Sequence, residues 1–253
     1  VPTPFEIALL VFAAMMAGLI DAIAGGGGLI TLPALLAVGL PPHLALGTNK
    51  GQAVFGAVAS ATSFWRRNGI DRDRAPLAFV CGLVGSALGA FTLMKTRPEP
   101  LRPIVVVLLL AAAIVVFTRR NVTPKPRNLR RPWLALAAIG LGFGFYDGFF
   151  GPGVGSMLIV AFALVFGDAI TRASGNAKVV NLASNLAAAV ILSFGGKVVW
   201  PLALAMAGAN AIGAGVGARL ALRGGDKFVR VVVLLVVLSV VTKLSIDLAR
   251  ASF

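Results

Sequence analysis

From Ala75 to Met94, and again from Val198 to Ala218, the chain carries no charged residue. As α-helix each run is long enough to cross the roughly 30 Å of hydrocarbon in a bilayer. A backbone in lipid must satisfy its own hydrogen bonds, which leaves helices and closed β-barrels as the spanning structures. Barrel strands alternate apolar and polar residues, whereas the runs from Val105 to Val116 and from Val231 to Val241 are continuously apolar. A soluble fold is excluded by composition: hydrophobic residues make up 58% and charged residues 13%, with mean hydropathy +0.93, against about 25% charged in soluble domains. The fold class is therefore an all-α polytopic membrane protein.

The apolar runs between charge or Gly/Pro punctuation divide the first half into Phe5 to Ala24, Leu29 to Leu40, Gln52 to Trp65, Ala75 to Met94 and Ile104 to Thr118. The second half divides into Pro132 to Phe150, Ser156 to Phe166, Val179 to Phe194, Val199 to Leu222 and Val231 to Leu248. The second member of each set is short; Leu29 to Leu40 would extend about 18 Å as helix. These are read as half-helices or re-entrant segments. Broken backbone at membrane depth is tolerated only where protein or a water-filled cavity satisfies it, so the breaks point inward.

The two halves say the same thing. Gly18-Leu19-Ile20-Asp21, then Gly25-Gly26-Gly27-Gly28, then Gly47-Thr48-Asn49-Lys50 is matched by Gly144-Phe145-Tyr146-Asp147, Gly151-Pro152-Gly153-Val154-Gly155 and Gly175-Asn176-Ala177-Lys178. Asp21 and Asp147 stand 126 residues apart, Lys50 and Lys178 stand 128 apart, and the second register also relates Arg102 to Arg230. The expected organisation is a first repeat over 1–118, a basic connector over 119–131 and a second repeat over 132–253. Duplicated secondary transporters place their site at the bilayer midplane between such repeats, where helices are interrupted.

A net charge of +14 would suggest nucleic acid in a soluble protein, but here the basic residues occupy short loops and report topology. Arg119, Arg120, Lys125, Arg127, Arg130 and Arg131 fill the connector, and Arg66, Arg67, Arg72 and Arg74 precede the Ala75 run. Both loops are expected to be cytoplasmic. The counterpart of the Arg66 loop, Gly195 to Val199, carries only Lys197, which favours inverted over parallel halves. Lys95, Arg97 and Arg102 then fall on the outer side, against the rule.

Lys50 and Lys178 are the candidate anion-binding residues. An ammonium at membrane depth is costly unless it faces water, an anion or a carboxylate, and two of them at matched positions would form an electropositive centre. Thr48, Asn49 and Gln52 accompany the first lysine, and Asn176, Asn181 and Asn185 the second; their amides and hydroxyls can donate to an oxyanion or bond between helices. Gly26, Gly27, Gly28 and Gly153 can free N–H groups at half-helix N-termini, which attract anions, or serve as hinges. Asp21 and Asp147 could cap those glycine segments, orient the lysines or carry a coupling proton. Gly82, Gly85 and Gly89, then Gly208, Gly213 and Gly217, read as helix-packing positions.

Catalysis finds little footing. His43 is the sole histidine and has no second ligand at metal spacing, and Cys81, the sole cysteine, lies in an apolar run and reads as packing. No cofactor, metal or enzymatic activity is expected.

With these motifs, notably Gly18 to Pro33 followed by Ala45 to Lys50, the chain resembles the sulfite exporter TauE/SafE family of bacterial membrane permeases, over essentially its whole length. The resemblance implies transport of small sulfur-containing anions such as sulfite or organosulfonates, outward and without ATP, in the bacterial inner membrane. Carried onto this chain it points at Asp21, Gly25 to Gly28, Thr48, Asn49 and Lys50, and at Gly151, Gly153, Asn176 and Lys178. The second repeat departs from the first, with Pro152 and Val154 for glycines and Asn176-Ala177 for Thr48-Asn49. The expected partners are a small anion and the lipid bilayer, with no nucleic acid; a homodimer is compatible with the sequence. A passive anion channel and a non-transporting membrane scaffold are the alternative functions.

Overall fold

A computed structural model describes residues 2–97 and 129–224, with positions 104, 107, 108 and 111 between them. Most of the expected segment Ile104 to Thr118, all of Val231 to Leu248, most of the connector over 119–131 and the Arg102–Arg230 match lie outside the described residues. Within them the protein is all helical: α1 (Pro4–Ala24), α2 (Gly28–Ala37), α3 (Pro42–Arg66), α4 (Ala75–Lys95), α5 (Pro132–Phe149), α6 (Val154–Phe166), α7 (Ile170–Phe194) and α8 (Trp200–Gly224). Helices α1, α4, α7 and α8 are long and apolar enough to span a bilayer.

Local chemistry sets the boundaries. Thr3 and Glu6 form a capping box at the start of α1, and Pro42, Pro76 and Pro132 sit in the first turn of α3, α4 and α5, where a missing N–H costs nothing. Gly25 ends α1 in the left-handed region at φ 75°. Two boundaries differ from the sequence expectation: α3 begins ten residues before Gln52 and α7 nine before Val179. Glycine and lysine look like punctuation, yet Gly47 to Lys50 and Gly175 to Lys178 are helical. Each lysine therefore sits about two turns inside its helix rather than at its start.

The short helices are largely buried, with Leu164 of α6 as an exposed exception. Leu29, Leu32 and Leu35 of α2 pack in one buried cluster with Phe150, Leu192 and Met206, and Leu158, Ile159 and Phe162 of α6 pack in another with Phe64 and Val180. Most exposed apolar side chains lie on the other helices, among them Phe12, Val80, Leu88, Phe91, Leu204 and Ile212, as a lipid-facing surface requires.

The halves interlock through two glycine seams. A β-carbon on Gly85 or Gly89 of α4 would meet the carbonyls of Leu141 and Phe145 on α5, at 2.3 and 2.1 Å. One on Gly213 or Gly217 of α8 would meet those of Met15 and Leu19 on α1, at 2.0 and 2.3 Å. Each half thus lends its later helix to the other half's first helix. Close backbone approach is the available drive in lipid, where apolar burial between helices gains little. Gly82 contacts Val180, while Gly208 has open space around it.

The start of α3 lies against the segment after α7, with Gly47 facing the Lys197 carbonyl, and the start of α7 lies against the segment after α3, with Gly175 facing that of Gly69. Two hydrogen bonds repeat the relation: Val199 N–H donates to Thr48 Oγ1 at 3.0 Å and Asp71 N–H donates to Asn176 Oδ1 at 2.8 Å. Helices α3 and α7 consequently run antiparallel. Between them, the bends α1–α2 and α5–α6 meet tip to tip, where Ser156 N–H donates to Gly25 O at 2.8 Å.

Candidate functional site

Asp21 lies one turn before the end of α1 and Asp147 at the corresponding place on α5, so each bend carries a carboxylate to the interior. Each is met by the lysine of the opposite half. The Lys50 ammonium donates to Asp147 Oδ1, and the Lys178 ammonium donates to Asp21 Oδ2 at 2.9 Å and to the Asp21 carbonyl. Lys50 and Lys178 are among the largest fully buried side chains. Ser184 Oγ completes Asp147 by donating to Oδ2. Asp21 keeps 28% of its side chain exposed and also accepts from Gly27 N–H at 3.3 Å. Capping of a glycine segment is thus seen for Asp21, and orientation of a lysine for both.

These pairs flank a small cavity, partly open to solvent. Asp21, Lys50 and Asp147 line it, together with the expected Asn49, Gln52, Asn181, Asn185, Gly27, Gly28 and Gly153. Lys178, Thr48, Asn176 and Gly26 are not in its wall. Each lysine of the expected electropositive centre is paired with a carboxylate. The physical reason is cost: a buried ammonium with no counter-charge is far dearer than a paired one.

At the two half-helix starts, the N–H groups of Gly27, Leu29, Ile30, Thr31, Val154, Ser156 and Met157 are bonded within the protein, while Gly28, Gly153 and Gly155 line the cavity. Side chains add further donors. Asn49 Oδ1 accepts from Thr31 Oγ1 and from Gln52 Nε2 at 3.2 Å, and Asn181 Oδ1 accepts from Asn185 Nδ2. With those oxygens occupied, what Asn49 and Asn181 have left to offer is NH2, a neutral donor suited to an oxyanion. Three wall or support residues escaped the sequence reading: Thr31, Ser184 and Asn210, whose Nδ2 donates to Ala14 O at 3.1 Å. The signal for Asn210 was a lone amide in an uncharged run; Ser184 and Thr31 carried none.

Thr48 and Asn176 act at the ends of α3 and α7. Asn176 also donates to Asp168 Oδ2 at 2.7 Å, and Arg74 bridges Asp168 at 2.7 Å and Asp71 at 2.8 Å while lying over the Phe166 ring. Partial burial pushes the Asp71 carboxyl up, but hydrogen bonds from the Arg74 side chain and the Arg74 and Asp73 N–H groups outweigh it and hold it below the usual value. A depressed carboxylate stabilises the fold above its unfolded pKa, near 3.9, and loses that contribution as pH falls through its lower folded value. Arg74→Ala should cost about 1–3 kcal/mol near neutral pH, less than a fully buried pair because solvent screens part of it. The Tm gap between wild type and variant should narrow in acid. His43, buried, lies within bonding distance of the Leu93 and Thr96 carbonyls at 3.2 and 3.0 Å, and Cys81 is free and buried. Among the described residues no cluster suited to a metal ion is present.

Residues 10–244 match the model of a family described as sulfite exporter TauE/SafE. The probable membrane transporter protein YfcA of Escherichia coli (strain K12) is 36% identical over 246 residues, covering 97% of this chain and 91% of that protein. A probable membrane transporter protein of Haemophilus influenzae is 34% identical over 242 residues, with 95% of each chain covered. The probable membrane transporter protein ORF9 of a Sinorhizobium species is 35% identical over 243 residues, 95% of this chain and 93% of that one. No solved structure matches the chain. With its spanning helices and bacterial transporter relatives, this multi-pass bacterial inner-membrane protein belongs to the sulfite exporter TauE/SafE family.

Proposed function

We propose that the protein is a secondary transporter that exports small sulfur-containing anions, sulfite or organosulfonates, by alternating access. The observation that carries this reading is Lys50, an intramembrane ammonium in the cavity wall whose counter-charge comes from the other half. An oxyanion entering the cavity competes with Asp147 for that ammonium, so binding opens a contact that ties the halves together. A membrane scaffold has no use for such a pair. The halves act as inverted repeats; the antiparallel α3 and α7 and their reciprocal end contacts support that arrangement, and it allows one half to rock against the other around a central site. The Arg66 to Arg74 loop lies on the cytoplasmic side.

Transport of labelled sulfite into proteoliposomes tests the reading. The expected result is saturable uptake that accelerates when unlabelled sulfite is preloaded on the opposite side. Flux linear in concentration without such counterflow would identify a passive channel; absence of flux for sulfite and small sulfonates alike would return the protein to the scaffold class. Coupling to protons through Asp21 or Asp147 is part of the proposal, and rates indifferent to a pH gradient at clamped potential would remove that part.

A further inference from the structure

Gln52 lies on α3, 1% exposed, in the wall of the central cavity. Its Nε2 donates to Asn49 Oδ1 at 3.2 Å, and that oxygen accepts from Thr31 as well. Gln52 Oε1 is left buried without a hydrogen-bond partner. The two other such atoms among the described residues, Arg74 Nη1 and Ser174 Oγ, are not in the cavity wall.

A buried acceptor without a partner is costly, and native structures keep few of them. A bare oxyanion offers only acceptors and cannot satisfy it. The charges around the cavity are balanced rather than positive: Lys50 is matched by Asp147, and Asp21, which also faces the space, by Lys178. Acceptors are therefore built into a wall that a purely anionic ligand would prefer without them. The position equivalent to Gln52 in the second repeat is Val180, fully buried and apolar. The acceptor thus occurs once, and it gives an otherwise duplicated site one orientation.

Resting on the anion-site reading above, we infer that the substrate is an acid that also bears a hydroxyl or ammonium group, and that Gln52 is the specificity-determining residue that accepts a hydrogen bond from it. The acid group meets Lys50 and the Asn49 and Asn181 amides, while the donor meets Gln52 Oε1.

Two sulfonates of similar size separate the possibilities: 2-hydroxyethanesulfonate, which has the donor, and propane-1-sulfonate, which replaces it by a methyl group. Calorimetric titration of the full chain in lipid nanodiscs should show the hydroxysulfonate binding at least about tenfold more tightly, as expected for a site that leaves a buried polar atom unpaired with the wrong ligand. In Gln52→Leu the two affinities should converge to within about twofold, through loss for the hydroxysulfonate alone. Equal binding of both by the wild type overturns this inference and leaves the anion site standing, as does a preference that survives in Gln52→Leu. If the wild type binds neither sulfonate, this inference falls, and the anion-site reading falls with it only where sulfite also fails to bind. The wild-type comparison decides the matter even if the variant fails to fold.

Discussion

Replacing Lys50 by methionine is expected to abolish anion transport and to lower the stability of the fold by about 3–5 kcal/mol, the cost of leaving a buried carboxylate without its counter-charge. Asp147 is 2% exposed and would keep only Ser184. The double variant Lys50→Met/Asp147→Asn should recover most of that stability, because a neutral amide can still accept from Ser184 and no charge remains to be compensated. Transport should not recover, since the ammonium that draws the anion is gone. Thermal unfolding in detergent and sulfite flux in proteoliposomes read the two quantities separately. A double variant that folds and transports would make the Lys50–Asp147 pair a strut and place anion recognition elsewhere. Lys178, outside the cavity wall and held by both the carboxylate and the carbonyl of Asp21, should affect the fold first.

The crossed pairing shows where sequence reading stops. The matched motifs make Asp21 the counterpart of Asp147 and Lys50 that of Lys178, but a shared motif position is not adjacency. Nothing in the spacing says that a lysine reaches the carboxylate of the other half rather than its own. The spans from Ala75 and Val198 were legible because twenty-odd uncharged residues have one cheap environment, and α4 and α8 occupy those stretches. The starts of α3 and α7 were not, because a charge reads as the end of an apolar span and glycine as a helix break, whereas here the lysines are paired with carboxylates and Gly47 and Gly175 are closely packed. Thr48 and Asn176 looked like companions of the lysines, yet adjacent residues on a helix project about 100° apart for each step. They reach the end segments of the opposite half instead. Asn210 and Ser184 were hidden for a further reason. Their repeat counterparts are Gly82 and Gly56, so self-comparison of the sequence gave them no emphasis. Gly56 leaves the room that Asn210 Oδ1 occupies.

Gly25→Ala is expected to be among the most damaging single-methyl changes at the described glycines. The backbone there has φ 75°, and the added carbon would stand 2.2 Å from Gly155 C and 2.4 Å from Ser156 N. Left-handed backbone costs alanine about 1–2 kcal/mol, and forcing two packed backbones apart costs about 1–3 kcal/mol more. Separation would also weaken the Ser156-to-Gly25 hydrogen bond that joins the tips, for a total of about 4 kcal/mol. Gly151→Ala meets something softer: its methyl would press on Lys50 Nζ at 2.6 Å and Asp147 Oδ1 at 2.8 Å, atoms at the ends of side chains. It should fold, with the strain of φ 99°, and lose transport by displacing the ion pair. Gly208→Ala, in α8 with nothing near, should leave transport intact and match or slightly exceed wild-type stability, since alanine favours helix over glycine by about 1 kcal/mol. Expression in membranes, Tm and sulfite flux measured on the three variants order them. If Gly25→Ala keeps both the fold and the flux, the two tips are not in obligatory contact and their union is no part of the transport cycle; if Gly151→Ala transports normally, the ion pair has room to move without consequence and the cavity's chemistry does not depend on where Lys50 stands.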